Sequence, residues 1–340
     1  MSQPAGNGRV FAVELGKLMA AFIVTIIHLT PYMDEAAHLA DIPQFFAVPY
    51  FMISALHFTV RKALVNDDGV LSGSSFERVA WPYLSWTLLY TLMRCMKNGS
   101  ELFAGGLKDW FDLLFLGKSG VQLYFLPLLL FSQVMAIALV RMWKGLRCSS
   151  MAWSALAWLL AGLAASLAAE PMGYPFWSFS FVMALVYGFL AMASNYLATK
   201  GREWQHGVVI FSCLMLGFLV LIAGLGIKLP NVLKMFYAPL CGFFAFLILL
   251  RVRSGVPPVW LEKIVSCYFG IYLMHHAFEE GLEVMMARIG HPLQPYTLGS
   301  RLVVALLVCA VSVIVTLLLR RRRMLALVFL GERTAAPGPP

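Results

Sequence analysis

The stretch that decides the fold is Val10–Leu29, VFAVELGKLMAAFIVTIIHL. A helix rises about 1.5 Å per residue and the hydrocarbon core of a bilayer is about 30 Å thick, so an apolar run of this length is enough to cross it once. Into the run are set Glu14, Lys17, Thr25 and His28. From Lys17 to His28 is eleven residues. At 100° per residue, eleven steps come within about 20° of three full turns, which puts both side chains on one face, roughly 16 Å apart along the axis. Charged groups at that depth are costly and face a bundle interior or a water-filled cavity. The first helix therefore reads as a membrane helix built around chemistry. It does not read as a cleaved signal peptide, because its long core carries Glu14 and Lys17 and no small-residue cleavage site follows.

Working outward, the 340 residues are 60% hydrophobic and 13% charged, with a mean hydropathy of +0.78, a composition that excludes a soluble domain. The alternation of a membrane β-barrel is absent. Apolar runs of spanning length recur at 10–30, 43–60, 79–97, 121–141, 151–169, 176–197, 207–226, 231–250, 261–279 and 299–319. The expected fold is an all-α integral membrane protein of about ten transmembrane helices. Residues 1–333 are expected to form one transmembrane domain, and the small, Pro-rich 334–340 a disordered tail. The one extended connection, 98–120, holds an amphipathic stretch from Leu102 to Leu116 that is expected to lie on the outer surface.

With the N-terminus in the cytoplasm, seventeen Lys and Arg residues fall in cytoplasmic segments and eight on the opposite side, which favours both termini cytoplasmic. The net charge of +9 is then topological. Arg320 to Arg323 read as a stop and an anchor to anionic membrane lipid, and no nucleic-acid partner is expected. Six cysteines, at 95, 148, 213, 241, 267 and 309, lack CxxC spacing and read as small buried hydrophobes, so neither a metal site nor a disulfide frame is expected. An inverted repeat of the kind that marks many transporters is not visible.

An acid, a base three residues on, and a histidine eleven residues after the base form a pattern, here Glu14, Lys17 and His28. It resembles the first helix of the acyltransferase-3 family of integral membrane acyltransferases, the sugar and glycolipid O-acetyltransferase type. Further pieces arrive in that family's order. Val48–Ser54 (VPYFMIS) is similar to its second-helix segment, Arg78 with Pro82 and Tyr83 to the start of its third helix, Tyr124–Pro127 (YFLP) to its fourth, and Gly270–His275 (GIYLMH) to its late Gly-Ile-Tyr-Leu-x-His segment. The chain departs from the pattern where Glu14 replaces aspartate, Lys17 replaces arginine and Ala55 replaces a glycine. Ser75 stands where an Arg-x-x-Arg pair ending at Arg78 would begin.

The resemblance implies a membrane O-acyltransferase, of the bacterial inner (plasma) membrane, with no resident cofactor. Its donor would be a cytosolic acyl-CoA, acetyl-CoA above all, and its acceptor a hydroxyl of a carbohydrate or lipid-linked glycan. Carried over position by position, it marks His28 and Glu14 as catalytic, and Lys17, Arg78, Ser54, Tyr124, Tyr272 and His275 as substrate-binding.

The residue types suit that chemistry. Acyl transfer to a hydroxyl needs a base that removes the proton as the oxygen attacks, and the imidazole of His28 is suited to it. Glu14 and Lys17, three apart, either neutralise one another as a helical pair or leave Lys17 to meet a donor phosphate. Arg78 offers the planar fork that grips phosphate, or a topological charge facing lipid headgroups. Thr25 reads as bonding back to its own helix. His275 with Glu279, and His276 with Glu280, are each four apart and can pair. Two adjacent histidines point about 100° apart and do not share one metal ion comfortably. Ser54 lacks a GxSxG elbow and reads as a small polar residue at a helix crossing or pocket wall. A different class stays open at this level: a proton-coupled transporter or flippase for a glycan or small metabolite, with the polar stripe as its relay. Acceptor identity, acyl chain length and oligomeric state are not legible in the chain.

Overall fold

The computed structural model describes residues 11–29, 44–65, 73–98, 106–115, 117, 119–145, 176–225, 231–252 and 257–333, with isolated positions at 157, 160, 161, 164 and 168. All regular elements among them are helices: α1 Phe11–His28, α2 Gln44–Val65, α3 Gly73–Asn98, α4 Leu107–Phe115, a 3₁₀ turn Val121–Tyr124 and α5 Phe125–Gly145. They continue as α6 Phe176–Ala198, α7 Arg202–Gly224, α8 Asn231–Arg251, α9 Val259–Val265, α10 Tyr268–Arg288, α11 Leu298–Leu319 and α12 Arg323–Leu330. The expected run at 151–169 and the tail 334–340 lie outside the described residues, apart from the isolated positions in the former.

Among the described residues, four helices are long and apolar enough to cross a membrane by length and composition: Phe11–His28, Gln122–Lys144, Trp204–Gly224 and Leu298–Leu319. On α7 and α11 the large apolar side chains, among them Phe211, Leu214, Phe218, Leu306, Val311 and Ile314, are exposed. Apolar faces of that extent belong against lipid. Helices α2 and α3 are as long, at 22 and 26 residues, yet more polar because Tyr, Trp, His and Ser side chains are turned into the bundle.

Two features depart from the sequence expectation. The run 261–279 is broken into α9 and α10 at Ser266 and Cys267. Arg320 accounts for the break: its Nη2 donates to the Ser266 carbonyl at 2.9 Å and its Nη1 to the Ser266 hydroxyl at 2.8 Å, drawing that carbonyl out of the helical ladder. The second departure is α12, which follows the arginine run. Arg320 is consequently no lipid anchor: its guanidinium closes a two-pronged bond with Glu332, Nη2 to Oε1 at 2.6 Å and Nε to Oε2 at 2.8 Å. Burial works against its charge, and the Glu332 carboxylate outweighs burial and holds the group above its ordinary range.

Helix α12 is tied to α3 by Ser85 and Trp86, which donate to the carbonyls of Val328 (2.9 Å) and Phe329 (3.0 Å). Gly331 closes α12 at φ 64°, and a Cβ there would fall on the Arg78 carbonyl, so backbone meets backbone at this end. Within the expected surface stretch 102–116, α4 exposes Trp110 and Phe111 while Leu113 and Asp112 are buried.

The central contact runs between α2 and α8, where Gly242 lies against the backbone of Pro49 and Tyr50. A Cβ added at Gly242 would sit 2.7 Å from the Pro49 carbonyl carbon, and neither backbone can yield. Gly242→Ala is expected to lower stability by about 1–3 kcal/mol. Gly281→Ala, on an open face of α10 with nothing within 4 Å, is expected to be neutral or stabilising. Thermal unfolding of the two variants in one detergent checks the contrast.

Candidate functional site

Helices α1 and α10 run parallel, and each end of their contact holds a distinct polar group. At one end Lys17 Nζ lies 2.9 Å from Glu14 Oε1, so the pair expected from the three-residue spacing is made. Lys17 is 8% exposed, and its ammonium also stands over the Tyr268 ring at 5.0 Å and the Phe58 ring at 5.7 Å. A carboxylate and two aromatic faces are what keep such a cation tolerable away from water. Tyr50 braces the same end, its hydroxyl donating to the Val13 carbonyl at 3.0 Å.

At the other end three histidines converge. The His28 ring stacks on His275 at 5.2 Å and 29°, and stands 5.6 Å from His276. His275 is wholly buried, with its Nδ1 3.2 Å from the Ile271 carbonyl. A carbonyl only accepts, so Nδ1 carries the hydrogen and Nε2 presents a lone pair. That Nε2 has no hydrogen-bond partner.

The expected pairing of His275 with Glu279 does not form, because Ile271 holds one nitrogen and His28 covers the ring. His276 takes the acids instead, with Nδ1 3.5 Å from Glu279 and Nε2 3.7 Å from Glu280. Among the described residues no group of three or more His, Cys, Asp or Glu side chains is placed to hold a metal ion.

Two tyrosines frame the cluster. The Tyr272 hydroxyl donates to the backbone carbonyl of Gln122 at 2.5 Å, and the Tyr90 hydroxyl donates to Leu273 O at 2.9 Å while accepting from the Ala277 amide at 3.2 Å. The ring of Tyr90 lies 6.2 Å from His276. Gln122 is 1% exposed and both polar atoms of its side chain lack a hydrogen-bond partner, while the Glu279 carboxylate, 3% exposed, has the loose 3.5 Å approach of His276 Nδ1. Buried polar groups left in this state cost free energy, and a ligand with hydroxyl groups can supply the missing bonds.

The remaining sequence candidates fall elsewhere. Glu14 meets Lys17, and fourteen residues of helix hold it about 21 Å from His28, so it does not touch that ring. Thr25 bonds back to the Ala21 carbonyl at 3.1 Å, as expected. Ser54 is buried and spends its hydroxyl on Phe51 O at 3.0 Å. Tyr124 ends the 3₁₀ turn, its backbone against Gly117 at φ 67°. Arg78 is exposed in the first turns of α3, about 18 Å along that helix from Tyr90, and therefore at the Lys17 end of the bundle.

Three buried polar features carry no functional role in the sequence reading. His57 Nδ1 lies 2.7 Å from the Ser194 hydroxyl, while Asn195 donates to the His57 carbonyl at 3.0 Å, joining α2 to α6. The Ser194 hydroxyl donates to Ala191 O at 2.8 Å, which makes His57 the donor in its pair. Arg301 is fully buried beside the end of α1. Tyr90 is the third. The signal available for Asn195 and Gln122 was an amide within or next to an apolar run; for Tyr90 there was none, since an aromatic at helical spacing looks like core.

A sequence profile described as an acyltransferase domain matches residues 10–321. No curated protein and no solved structure matches the chain. The match begins with α1 and carries through α10 to the end of α11, covering Lys17, Glu14 and all three converging histidines. This membrane protein belongs to the acyltransferase-3 family.

Proposed function

We propose that the protein is an O-acyltransferase that moves an acetyl or other short acyl group from acyl-CoA, acetyl-CoA in the simplest case, to a hydroxyl of a carbohydrate or lipid-linked glycan. The observation that carries this reading is the His28 cluster: His28 stacked on His275, whose buried Nε2 presents a lone pair with no hydrogen-bond partner, and, beyond Tyr272, the buried Gln122 amide. Acceptors that are fixed, buried and unfilled suit a substrate rich in hydroxyl donors.

In the proposed step the acceptor oxygen attacks the thioester carbonyl while His28 takes the hydroxyl proton. The new C–O bond forms, the C–S bond breaks, and the thiolate takes up a proton and leaves as free CoA. The Gln122 amide is suited to donate to the carbonyl oxygen as charge develops there. His275 Nε2 accepts from a second substrate hydroxyl. Tyr272 acts through Gln122, whose backbone it holds. Lys17, with Glu14 holding it, meets the donor arriving from the cytosol, and exposed Arg78 and Arg61 meet its phosphates. Ser54 and Tyr124 shape the site by packing, the Ser54 hydroxyl being spent on Phe51 O.

The topology proposed is about ten spans with both termini cytoplasmic, in a bacterial inner membrane. It rests on the seventeen-to-eight distribution of basic residues. His28 then lies in the outer half of the membrane, where the acceptor is met. A proton-relay transporter fits less well, because Thr25, between the ends of the stripe, has its hydroxyl committed to Ala21 O.

His28→Ala is expected to lower transfer from labelled acetyl-CoA by about 10²–10⁴-fold with donor binding unchanged. A variant that acetylates at the normal rate overturns the base assignment. The Lys17→Gln, Glu14→Gln double variant, which leaves no charge unpaired, is expected to fold and to raise the KM for acetyl-CoA about tenfold with kcat little changed. A reporter that is active only in the cytoplasm, fused after Pro340, is expected to be active; silence reverses the topology.

A further inference from the structure

Among the described residues, Arg301 has the largest fully buried side chain, at 0% exposure. Its place in the first turn of α11 counted in the charge pattern only as a topological marker. In the structure its Nη2 donates to the Ile26 carbonyl at 2.9 Å. Ile26 lies two residues before His28, in the last turn of α1, where the helix runs out of its own amides. The Leu29 amide reaches the same carbonyl at 3.2 Å. A guanidinium there also offsets the negative end of the α1 dipole.

The surroundings make a socket for this turn. Ile26 and Leu29 pack with Tyr296, Val304, Ala305 and Val308 in a satellite core separate from the main one. The Tyr296 hydroxyl donates to Glu283 at 2.6 Å, and Gln294 Nε2 donates to the same oxygen at 2.8 Å. Burial, and then the Glu283 carboxylate, push the Tyr296 hydroxyl well above its ordinary range, so it remains a donor. The connection from α10 to α11 is thereby fastened to α10, and Arg301, in the helical turn that follows it, reaches the end of α1.

We infer that Arg301 is a positioning residue for acyl transfer: it fixes the last turn of α1 and so holds the His28 ring against His275 and His276. The inference rests on His28 as the general base. Chemistry at a base is sensitive to placement, and a shift of about 1 Å costs on the order of 10²-fold in rate. A guanidinium buried here would be a poor route to stability alone, since an apolar side chain of similar size would fill the space at less electrostatic cost. What an apolar side chain cannot do is bond the Ile26 carbonyl.

The test uses the full chain in detergent, with labelled acetyl-CoA as donor and a solubilised membrane glycolipid fraction as acceptor. Arg301→Ala is expected to lower kcat about 10–100-fold, with the KM for acetyl-CoA changed less than about twofold. Arg301→Lys, which keeps the charge and a donor, is expected to recover most of that loss. The Arg301→Ala, His28→Ala double variant is expected to be no slower than His28→Ala alone, because both act on one step.

Hydrogen exchange of residues 22–29 gives a readout that needs no turnover. In Arg301→Ala it is expected to rise about tenfold or more while α5 and α8 keep their protection. Unchanged kcat in Arg301→Ala, losses that multiply in the double variant, or unchanged exchange in residues 22–29 each overturn the inference. Should His28→Ala retain full activity, the base assignment fails, and the exchange measurement still judges whether Arg301 fixes the turn. If Arg301→Ala does not fold, Arg301→Gln and Arg301→Lys are compared by the same two readouts.

Discussion

The parallel seating of α1 against α10 is the contact on which the rest of the molecule depends. It brings Lys17 onto Tyr268 at one end and His28 onto His275 at the other, so one interface sets both polar centres. Neither centre is stable in hydrocarbon by itself. Lys17 requires Glu14 and two aromatic faces, and the histidines require carbonyls, rings and one another. Compensation of buried charge thus determines which helices lie next to each other, and hydrophobic packing of α2, α5, α6 and α8 follows around that choice.

The three histidines share one cluster and differ by environment. His275 is fixed in one tautomer by Ile271, His276 faces two carboxylates, and His28 is held at the end of a helix whose last turn is clasped by Arg301. One residue type therefore supplies a lone pair held ready, an acid-flanked ring and a ring fixed at a helix end. That division arises from which element each ring faces, since adjacent positions on α10 point about 100° apart. The Glu279 carboxylate lies against His276, Gln122 lies behind Tyr272, whose ring stands 6.0 Å from His275, and the family assignment gives the cluster a chemical context.

Away from the cluster, the Lys17 end of the bundle is organised by a structure that hydropathy does not reveal. Arg320 breaks the ninth apolar run at Ser266 and joins it to Glu332, and α12 lies back along α3 through Ser85 and Trp86. Tyr268 begins α10 just after this break, so the aromatic that supports Lys17 stands on an element whose start Arg320 defines.

Much of this was determined by the chain alone. Helix class, nine of the ten apolar runs as described helical segments, the Glu14–Lys17 pair and the back-bonding of Thr25 follow from hydropathy, spacing and local bonding, all properties of neighbouring residues. The family resemblance was legible as well, because it rests on motifs in order along the chain. Only the tertiary structure decided that His276, not His275, faces Glu279, that Arg301 serves the end of α1, that Arg320 turns inward, and that Tyr90 and Gln122 border the histidines. The physical reason is common to all of these. Each depends on which buried acceptor lies across a helix interface, and a partner up to 275 positions distant in sequence leaves no periodicity for hydropathy to read.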